Sequence, residues 1–111
     1  MTYTTDLVGS TIEMMVLGLL MERTMYGYEI IQLVNDRTNG EFAWKEGTLY
    51  PVLHRLEGKG FLATEWQTGP TGKKRKYYKL TPKGKSRAET KLAEWETFSK
   101  CVETLLYQPA R

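Results

Sequence analysis

The chain has 111 residues and a formal net charge of +3 at pH 7, which is enough for one compact domain and too short for two. Hydrophobic residues make up 41% of it and charged residues 26%, a balance typical of a folded globular protein. The single cysteine, Cys101, excludes an internal disulfide framework. Together with the single histidine, His54, it also excludes a zinc site built mainly from those ligands within one chain.

No apolar stretch reaches the ~18 residues that a membrane-spanning helix needs. The longest runs from Met14 to Met21 and is flanked by charged residues on both sides. Residues 1–6 carry no basic side chain, so a signal peptide is not expected. These observations predict a cytoplasmic protein that does not bind a membrane.

The basic residues are concentrated between residues 73 and 87. This segment holds eight of the sixteen Lys and Arg residues and none of the thirteen Asp and Glu residues, so the rest of the chain is acidic on balance. Such a distribution is expected of a surface that docks a polyanion. A solvated charged face would have the same composition.

Apolar spacing predicts three helices in the first half of the chain, over residues 11–23, 25–38 and 46–58. The first has two apolar stripes, which indicates neighbours on two sides, one of them expected to be another subunit. Thr24 is the predicted N-cap of the second helix, and Asn39-Gly40 ends it. The short segment 41–44 is a candidate edge strand.

The third predicted helix has a buried side and an opposite, outward side. Leu49, Val52, Leu53 and Leu56 recur at helical spacing and are expected in the core. The opposite, outward side consists of Gly47, Pro51 and His54. It is flanked by Thr48, Tyr50 and Arg55, and Lys45 immediately precedes the helix. A helix fits the major groove of duplex DNA, where hydroxyl and guanidinium groups contact phosphates and base edges.

Residues 61–68 and 75–80 are rich in strand-forming side chains and flank a turn at 69–72, so they predict a β-hairpin. Four consecutive cations, which would attract phosphate whatever the base sequence, lie at its tip and outgoing arm: Lys73, Lys74, Arg75 and Lys76. Tyr77 and Tyr78 alternate faces, so one of them is expected in the core. Trp44 and Trp66 are expected to be packing residues.

Thr81 and Pro82 open a last helix that is predicted to reach about Tyr107, a length of roughly 37 Å at ~1.5 Å per residue. Its apolar stripe outruns the domain, so another surface must cover it, most simply a second copy of the chain. Cys101, within this helix, is expected to be a small buried hydrophobe. The predicted dimer interface consists of Met15, Leu19, Leu92, Trp95, Phe98, Val102, Leu105 and Leu106.

The order of elements predicts a mainly α fold with a small β-hairpin, a winged helix-turn-helix followed by a long C-terminal dimerisation helix. Residues 1–84 are expected to bind DNA, with the wing at about 61–80, and residues 85–111 to form the dimerisation helix. The chain has no Gly-rich phosphate cradle, no nucleophile with a paired base and no carboxylate cluster. We therefore expect neither an enzyme nor a cofactor.

Four blocks of sequence resemble the PadR family of transcriptional regulators, in the family's order and spacing. They are Tyr-Gly-Tyr-Glu-Ile at 26–30, the twelve residues at 46–57, Lys-Gly-Phe-Leu at 59–62, and Arg-Lys-Tyr-Tyr-Lys-Leu-Thr at 75–81 with Gly84. The Gly-Thr-Leu-Tyr-Pro sequence followed by Arg-Leu-Glu, within 46–57, is quite specific. The resemblance covers about residues 11–106 and implies a homodimeric winged-helix DNA-binding protein, usually a repressor, dimerised by a single C-terminal helix.

The resemblance also adds residues to the predicted sites. Tyr26 joins the predicted DNA contacts on this ground alone, and the full set is Tyr26, Lys45, Gly47, Thr48, Tyr50, Pro51, His54, Arg55, Lys73, Lys74, Arg75 and Lys76. Short multidrug-binding members have an aromatic pocket at the dimer interface, and Trp95 matches their tryptophan in the last helix. This implies a small aromatic or hydrophobic effector near Met14, Trp95 and Phe98. Dimer-core packing is the alternative for Trp95.

The expected partners are a double-stranded DNA operator and a second copy of the chain. The alternative is a winged-helix module for protein–protein interaction that does not bind DNA. Glu41, Glu46 and Glu57, near the third helix, favour this alternative because they would repel phosphate if they face the groove.

Overall fold

The computed structural model describes residues 11–107. The first ten residues of the predicted DNA-binding domain (1–84) and the last four of the predicted dimerisation helix (85–111) lie outside this range. In this range the elements are α1 (Ile12–Leu20), β1 (Met25–Tyr26), α2 (Gly27–Arg37), α3 (Glu46–Gly58), β2 (Leu62–Thr68), β3 (Lys74–Leu80) and α4 (Pro82–Leu106). The predicted fold class, a mainly α winged helix-turn-helix with a long last helix, is confirmed. None of the helices between residues 11 and 107 is long and apolar enough to cross a membrane.

The core lies between α1, α2 and α3. The four predicted inward residues of α3 are all buried, and they pack with Val16 and Leu17 of α1 and with Ile30 and Val34 of α2. Pro51 lies in the second turn of α3, so it offers no N–H to the Gly47 carbonyl four residues earlier. One side of α3 is therefore fixed to the core and the other side is left to solvent.

The predicted start of the second helix is wrong. Residues 25 and 26 form a short strand, and α2 begins at Gly27 with Tyr26, not Thr24, as its N-cap residue. Strand pairing takes precedence over helix propensity here, because Met25 is fully buried opposite Tyr78 while Tyr26 pairs with Tyr77. The Tyr26 N–H donates to the Glu29 carboxylate at 3.4 Å, and this hydrogen bond caps the N-terminus of α2.

The sheet has three antiparallel strands in the order β1-β3-β2. The predicted edge strand at 41–44 is wrong, because the third strand is β1 and residues 41–44 belong to the α2–α3 connection. Tyr78 is the tyrosine in the core, whereas Tyr77 is half-buried on the other face. The β2–β3 hairpin continues past the core as the wing, up to the pair Thr68 and Lys74.

The start of α4 is fixed against the turn between α3 and β2. The Thr81 hydroxyl accepts from the Gly84 N–H at 3.0 Å, which confirms the predicted N-cap. The same hydroxyl donates to the Gly60 carbonyl at 2.7 Å, and the Thr81 N–H donates to the Phe61 carbonyl at 3.1 Å. These bonds set the direction in which α4 leaves the domain.

Candidate nucleic-acid interface

The outward side of α3 presents several of the predicted DNA contacts to solvent. Gly47, Pro51, His54 and Arg55 are exposed, as is Lys45 immediately before the helix. A Cβ on Gly47 would meet no atom within 4 Å, so the helix surface is open at this point. No side chain of residues 11–107 caps the start of α3, and the leading N–H groups of such a helix favour an anion.

Tyr50 is half-buried, and its ring lies over the start of α2. A Cβ on Gly27 would be only 2.7 Å from the Tyr50 Cζ atom, so the ring fills the space that a side chain at Gly27 would occupy. Burial is the main cause that raises the pKa of the Tyr50 hydroxyl, with a smaller contribution from Glu46. The hydroxyl is therefore a neutral donor and acceptor beside the exposed surface of α3.

Tyr26 and Arg75, predicted contacts from distant parts of the sequence, lie against each other. The Arg75 Cζ atom is 4.5 Å from the centroid of the Tyr26 ring, and that ring meets Tyr77 edge-on at 5.3 Å. The ring face holds the guanidinium by a cation–π contact, which orders a long side chain without neutralising its charge. Arg75 is thus prepositioned on the outer face of the wing.

Lys76 lies on the opposite face, where it contacts the end of α3. Its Nζ is 3.7 Å from the Glu57 Oε1, and the Thr64 hydroxyl donates to Glu57 Oε2 at 3.4 Å. One carboxylate on α3 therefore contacts both strands of the hairpin and braces the wing. This role of Glu57 is not visible in the sequence, because the local pattern does not determine the direction of its side chain.

Two other cations of α3 and its C-cap share one carboxylate. Arg55 Nε is 3.6 Å and Lys59 Nζ is 3.4 Å from Glu13 Oε1 on α1. Both cations are about half exposed, so these ion pairs contribute little stability. In contrast, Lys73 and Lys74 at the tip of the wing are exposed, and no carboxylate of the described residues is placed within ion-pair distance of them.

Two sequence predictions about burial are wrong. Trp66 was expected to pack but is 66% exposed, because it lies on the part of the hairpin that extends beyond the core. Cys101 was expected to be buried but is exposed on α4. Trp44, by contrast, is a buried packing residue, as predicted.

The predicted dimer-interface residues on α4 form a largely uncovered stripe. Leu92, Trp95, Phe98, Leu105 and Leu106 are exposed, and Trp95 and Phe98 have ring centroids 6.4 Å apart. The other predicted interface residues are half-buried, namely Val102, Met15 and Leu19. Of the predicted effector residues, Met14 on α1 is half-buried, whereas Trp95 and Phe98 on α4 are exposed. The two helices meet where Leu92 packs on Gly18.

A third helix with one exposed side, a basic wing and a long last helix are the elements of a winged helix-turn-helix fold, which is common in DNA-binding proteins. Residues 16–90 match the model of the Transcriptional regulator PadR-like family. A protein of Lysinibacillus sphaericus is 35% identical over 101 residues, which are 91% of this chain and 93% of that protein. The chain belongs to the PadR-like family of transcriptional regulators, which makes it a DNA-binding regulator.

Solved structures agree with this assignment. A transcriptional regulator from Clostridium thermocellum has a TM-score of 0.81 at 31% identity, covering 94% of this chain and 98% of its own. A PadR-like transcriptional regulator from Bacillus cereus has a TM-score of 0.82 at 27% identity, covering 94% and 99%. The similarity thus extends over the long last helix as well as the winged domain.

Proposed function

We propose that the protein is a homodimeric repressor in which each protomer reads one half of a palindrome-like operator. In this proposal α3 lies in the major groove, and the wing follows the neighbouring backbone. The side chains that would contact DNA are those named above on α3 and the wing, together with Tyr26. The observation that carries the proposal is the exposed outward side of α3 together with Lys73 and Lys74 at the wing tip, which pair with no carboxylate within residues 11–107.

The dimer in this proposal is formed by α4. An exposed apolar stripe that includes Trp95, Phe98 and Leu105 is the kind of surface that marks an interaction site. A second copy that packs against it would hold two α3 helices at a fixed distance. Half-sites would then be spaced by one helical turn, about 34 Å, or a multiple of it.

Release from DNA is proposed to follow binding of a small aromatic or hydrophobic effector between the two copies. Trp95 and Phe98 offer adjacent ring faces on the stripe, and Met14 of α1 adds a polarisable side chain on the helix that packs against α4. Such an effector acts only if it binds one dimer geometry more tightly than another. Its action would be to favour a spacing of the α3 helices that does not match the operator.

The test of DNA docking is the salt dependence of binding. A duplex selected from a random pool should bind less tightly when Lys73 and Lys74 are both replaced by Ala. The slope of log K against log salt should become shallower by roughly 2, since each phosphate contact contributes about 0.9. Affinity for unrelated duplexes should fall by a similar factor, because phosphate contacts carry no sequence information.

The matched control removes two positive charges elsewhere on the protein, by replacing Arg37 and Lys100 with Ala. Both residues pair with glutamates and lie outside the proposed DNA contacts and the apolar stripe of α4. An equal change of slope in both double variants would show a net-charge effect and would contradict docking through the wing. Failure to enrich any duplex would favour the protein–protein module.

A further inference from the structure

The wing has two faces, and strand register assigns its side chains to them. Trp66 is directly opposite Lys76, and Thr68 is directly opposite Lys74, so these four side chains share one face. Leu62 and Tyr78 lie on the same face nearer the core, where both are buried. Arg75, on the other face, is the residue that stacks on Tyr26.

Trp66 is the feature of this face that packing does not explain. Trp66 is 66% exposed, although an indole in water forgoes a large gain from burial. The strand partner and its neighbour on the same face are both cations, Lys76 and Lys74. An exposed aromatic ring between lysines is a combination that suits a partner with both apolar and anionic parts.

This face is continuous with the end of α3. Glu57, in the last turn of α3, lies 3.7 Å from Lys76 and accepts from Thr64, two residues before Trp66 on the same face. The contact holds the Trp66 face of the wing beside the helix that is proposed to read the major groove. If α3 docks in the major groove as proposed, this is the side of the wing that is held against the end of that helix.

We propose that Trp66 is a further DNA-contacting residue, whose indole packs on a deoxyribose of the backbone next to the groove that α3 occupies. The apolar face of the sugar would cover the ring, while Lys74 and Lys73 contact the flanking phosphates. The indole N–H is also a donor that a phosphate oxygen can accept. The inference rests on the proposed docking of α3 and the wing on DNA.

Charge favours DNA over a second copy of the chain as the occupant of this face. Residues 73–87 contain eight cations and no carboxylate, so two such faces would repel each other. The apolar stripe available for self-association is on α4, a different element. A backbone of sugars and phosphates supplies both the apolar contact and the negative charge that this face lacks.

The test compares Trp66→Ala and Trp66→Phe for binding to the duplex selected from a random pool. Trp66→Ala should weaken binding about tenfold, the cost of losing a buried aromatic contact, and Trp66→Phe should retain most of the affinity. The slope of log K against log salt should not change in either variant, because no charge is removed. Since the side chain is exposed, thermal stability should also stay as in the wild type.

The matched control is Gln67→Ala, which changes the next residue of the same strand on the opposite face. It should leave the affinity unchanged. A second measurement is the quenching of tryptophan fluorescence by acrylamide. The contribution of Trp66 is the difference in quenching between the wild-type protein and Trp66→Phe. DNA should reduce this difference, because the bound duplex would cover the ring.

The outcomes separate the inference from the docking proposal. If the Lys73 and Lys74 double variant weakens binding but Trp66→Ala does not, the wing docks without Trp66 and the inference is overturned. Equal losses for Gln67→Ala and Trp66→Ala would likewise overturn it, as would quenching that DNA does not change. If neither the lysine pair nor Trp66 affects binding, the docking proposal itself fails.

Discussion

The side-chain amide of Asn35 binds both backbone polar groups of Trp44. Its Nδ2 donates to the Trp44 carbonyl at 3.1 Å, and its Oδ1 accepts from the Trp44 N–H at 2.8 Å. The pair closes the loop between α2 and α3, in which Ala43 has a left-handed φ of 51° that costs a non-glycine residue about 1–2 kcal/mol. Asn35 therefore fixes the loop that leads from α2 into α3.

Replacing Asn35 by Ala should lower the free energy of unfolding by about 2 kcal/mol, because two hydrogen bonds of roughly 1 kcal/mol each are lost. Asn35→Asp keeps the acceptor for the Trp44 N–H and loses the donor to the Trp44 carbonyl. Its free energy of unfolding should therefore lie between those of the wild type and the alanine variant. Urea denaturation followed by circular dichroism measures both. Gln32→Ala, at an exposed site on the same helix, is the control. Equal stability of the wild type and Asn35→Ala would contradict a stabilising role for the two hydrogen bonds between Asn35 and Trp44.

Gly84 is predicted to tolerate no side chain. A Cβ at this position would collide with the carbonyl oxygen of Phe61 and lie 2.8 Å from its carbonyl carbon. Both are backbone atoms, so the α3–β2 turn and α4 would have to move apart and break the bonds made by Thr81. We expect Gly84→Ala to cost about 3 kcal/mol or more, measured as a loss of thermal stability.

The control for this substitution is Gly58→Ala. Gly58 is the last residue of α3, and a Cβ there would meet nothing within 4 Å. Because alanine is the better helix former, this variant should be as stable as the wild type or up to about 1 kcal/mol more stable. Similar destabilisation of both variants would show that the close approach of Phe61 to Gly84 is not the cause.

The winged fold and the outward side of α3 were predictable because they follow from local periodicity. Leu49, Val52, Leu53 and Leu56 define one face of a helix, and the opposite face follows at 100° per residue. Thr81 and Pro82 were predictable as a helix start for a similarly local reason. In each case the residues that determine the feature are near one another in the sequence.

What was missed depends on contacts between distant residues. Strand β1 exists because Met25 and Tyr26 pair with Tyr78 and Tyr77, some fifty positions away. The exposure of Trp66 depends on where the hairpin passes the edge of the core, which residue type does not show. The need for glycine at position 84 depends on the approach of the Phe61 carbonyl, which lies more than twenty positions earlier in the chain.

Gly27 is predicted to position Tyr50. A side chain at Gly27 would displace the Tyr50 ring, so Gly27→Ala should weaken binding to a selected duplex if Tyr50 contacts DNA. The two sites should be coupled, since Gly27→Ala has no further effect once Tyr50 is replaced by Ala and the space is empty. A double-mutant cycle on DNA affinity measures this. Additive losses would contradict the positioning role and leave Gly27 as a purely structural residue.

The last prediction concerns the apolar stripe of α4 as a dimer interface. Phe98 is 63% exposed, so Phe98→Glu should leave the protomer folded while it places a charge where the second copy is proposed to pack. We expect the dimer dissociation constant to rise about 30-fold or more, the effect of losing an interface hot spot. Sedimentation at several protein concentrations measures the change.

Thr97→Glu is the matched control, because it introduces the same charge at the preceding residue, which is exposed and lies off the apolar stripe. It should leave the dimer intact. Phe98→Glu should also weaken DNA binding, since a monomer engages one half-site and loses the gain from linking two. A wild-type protein that sediments as a monomer at every concentration would contradict the dimer. A Phe98→Glu protein that stays as associated as the Thr97→Glu control would show that the copies meet through another surface.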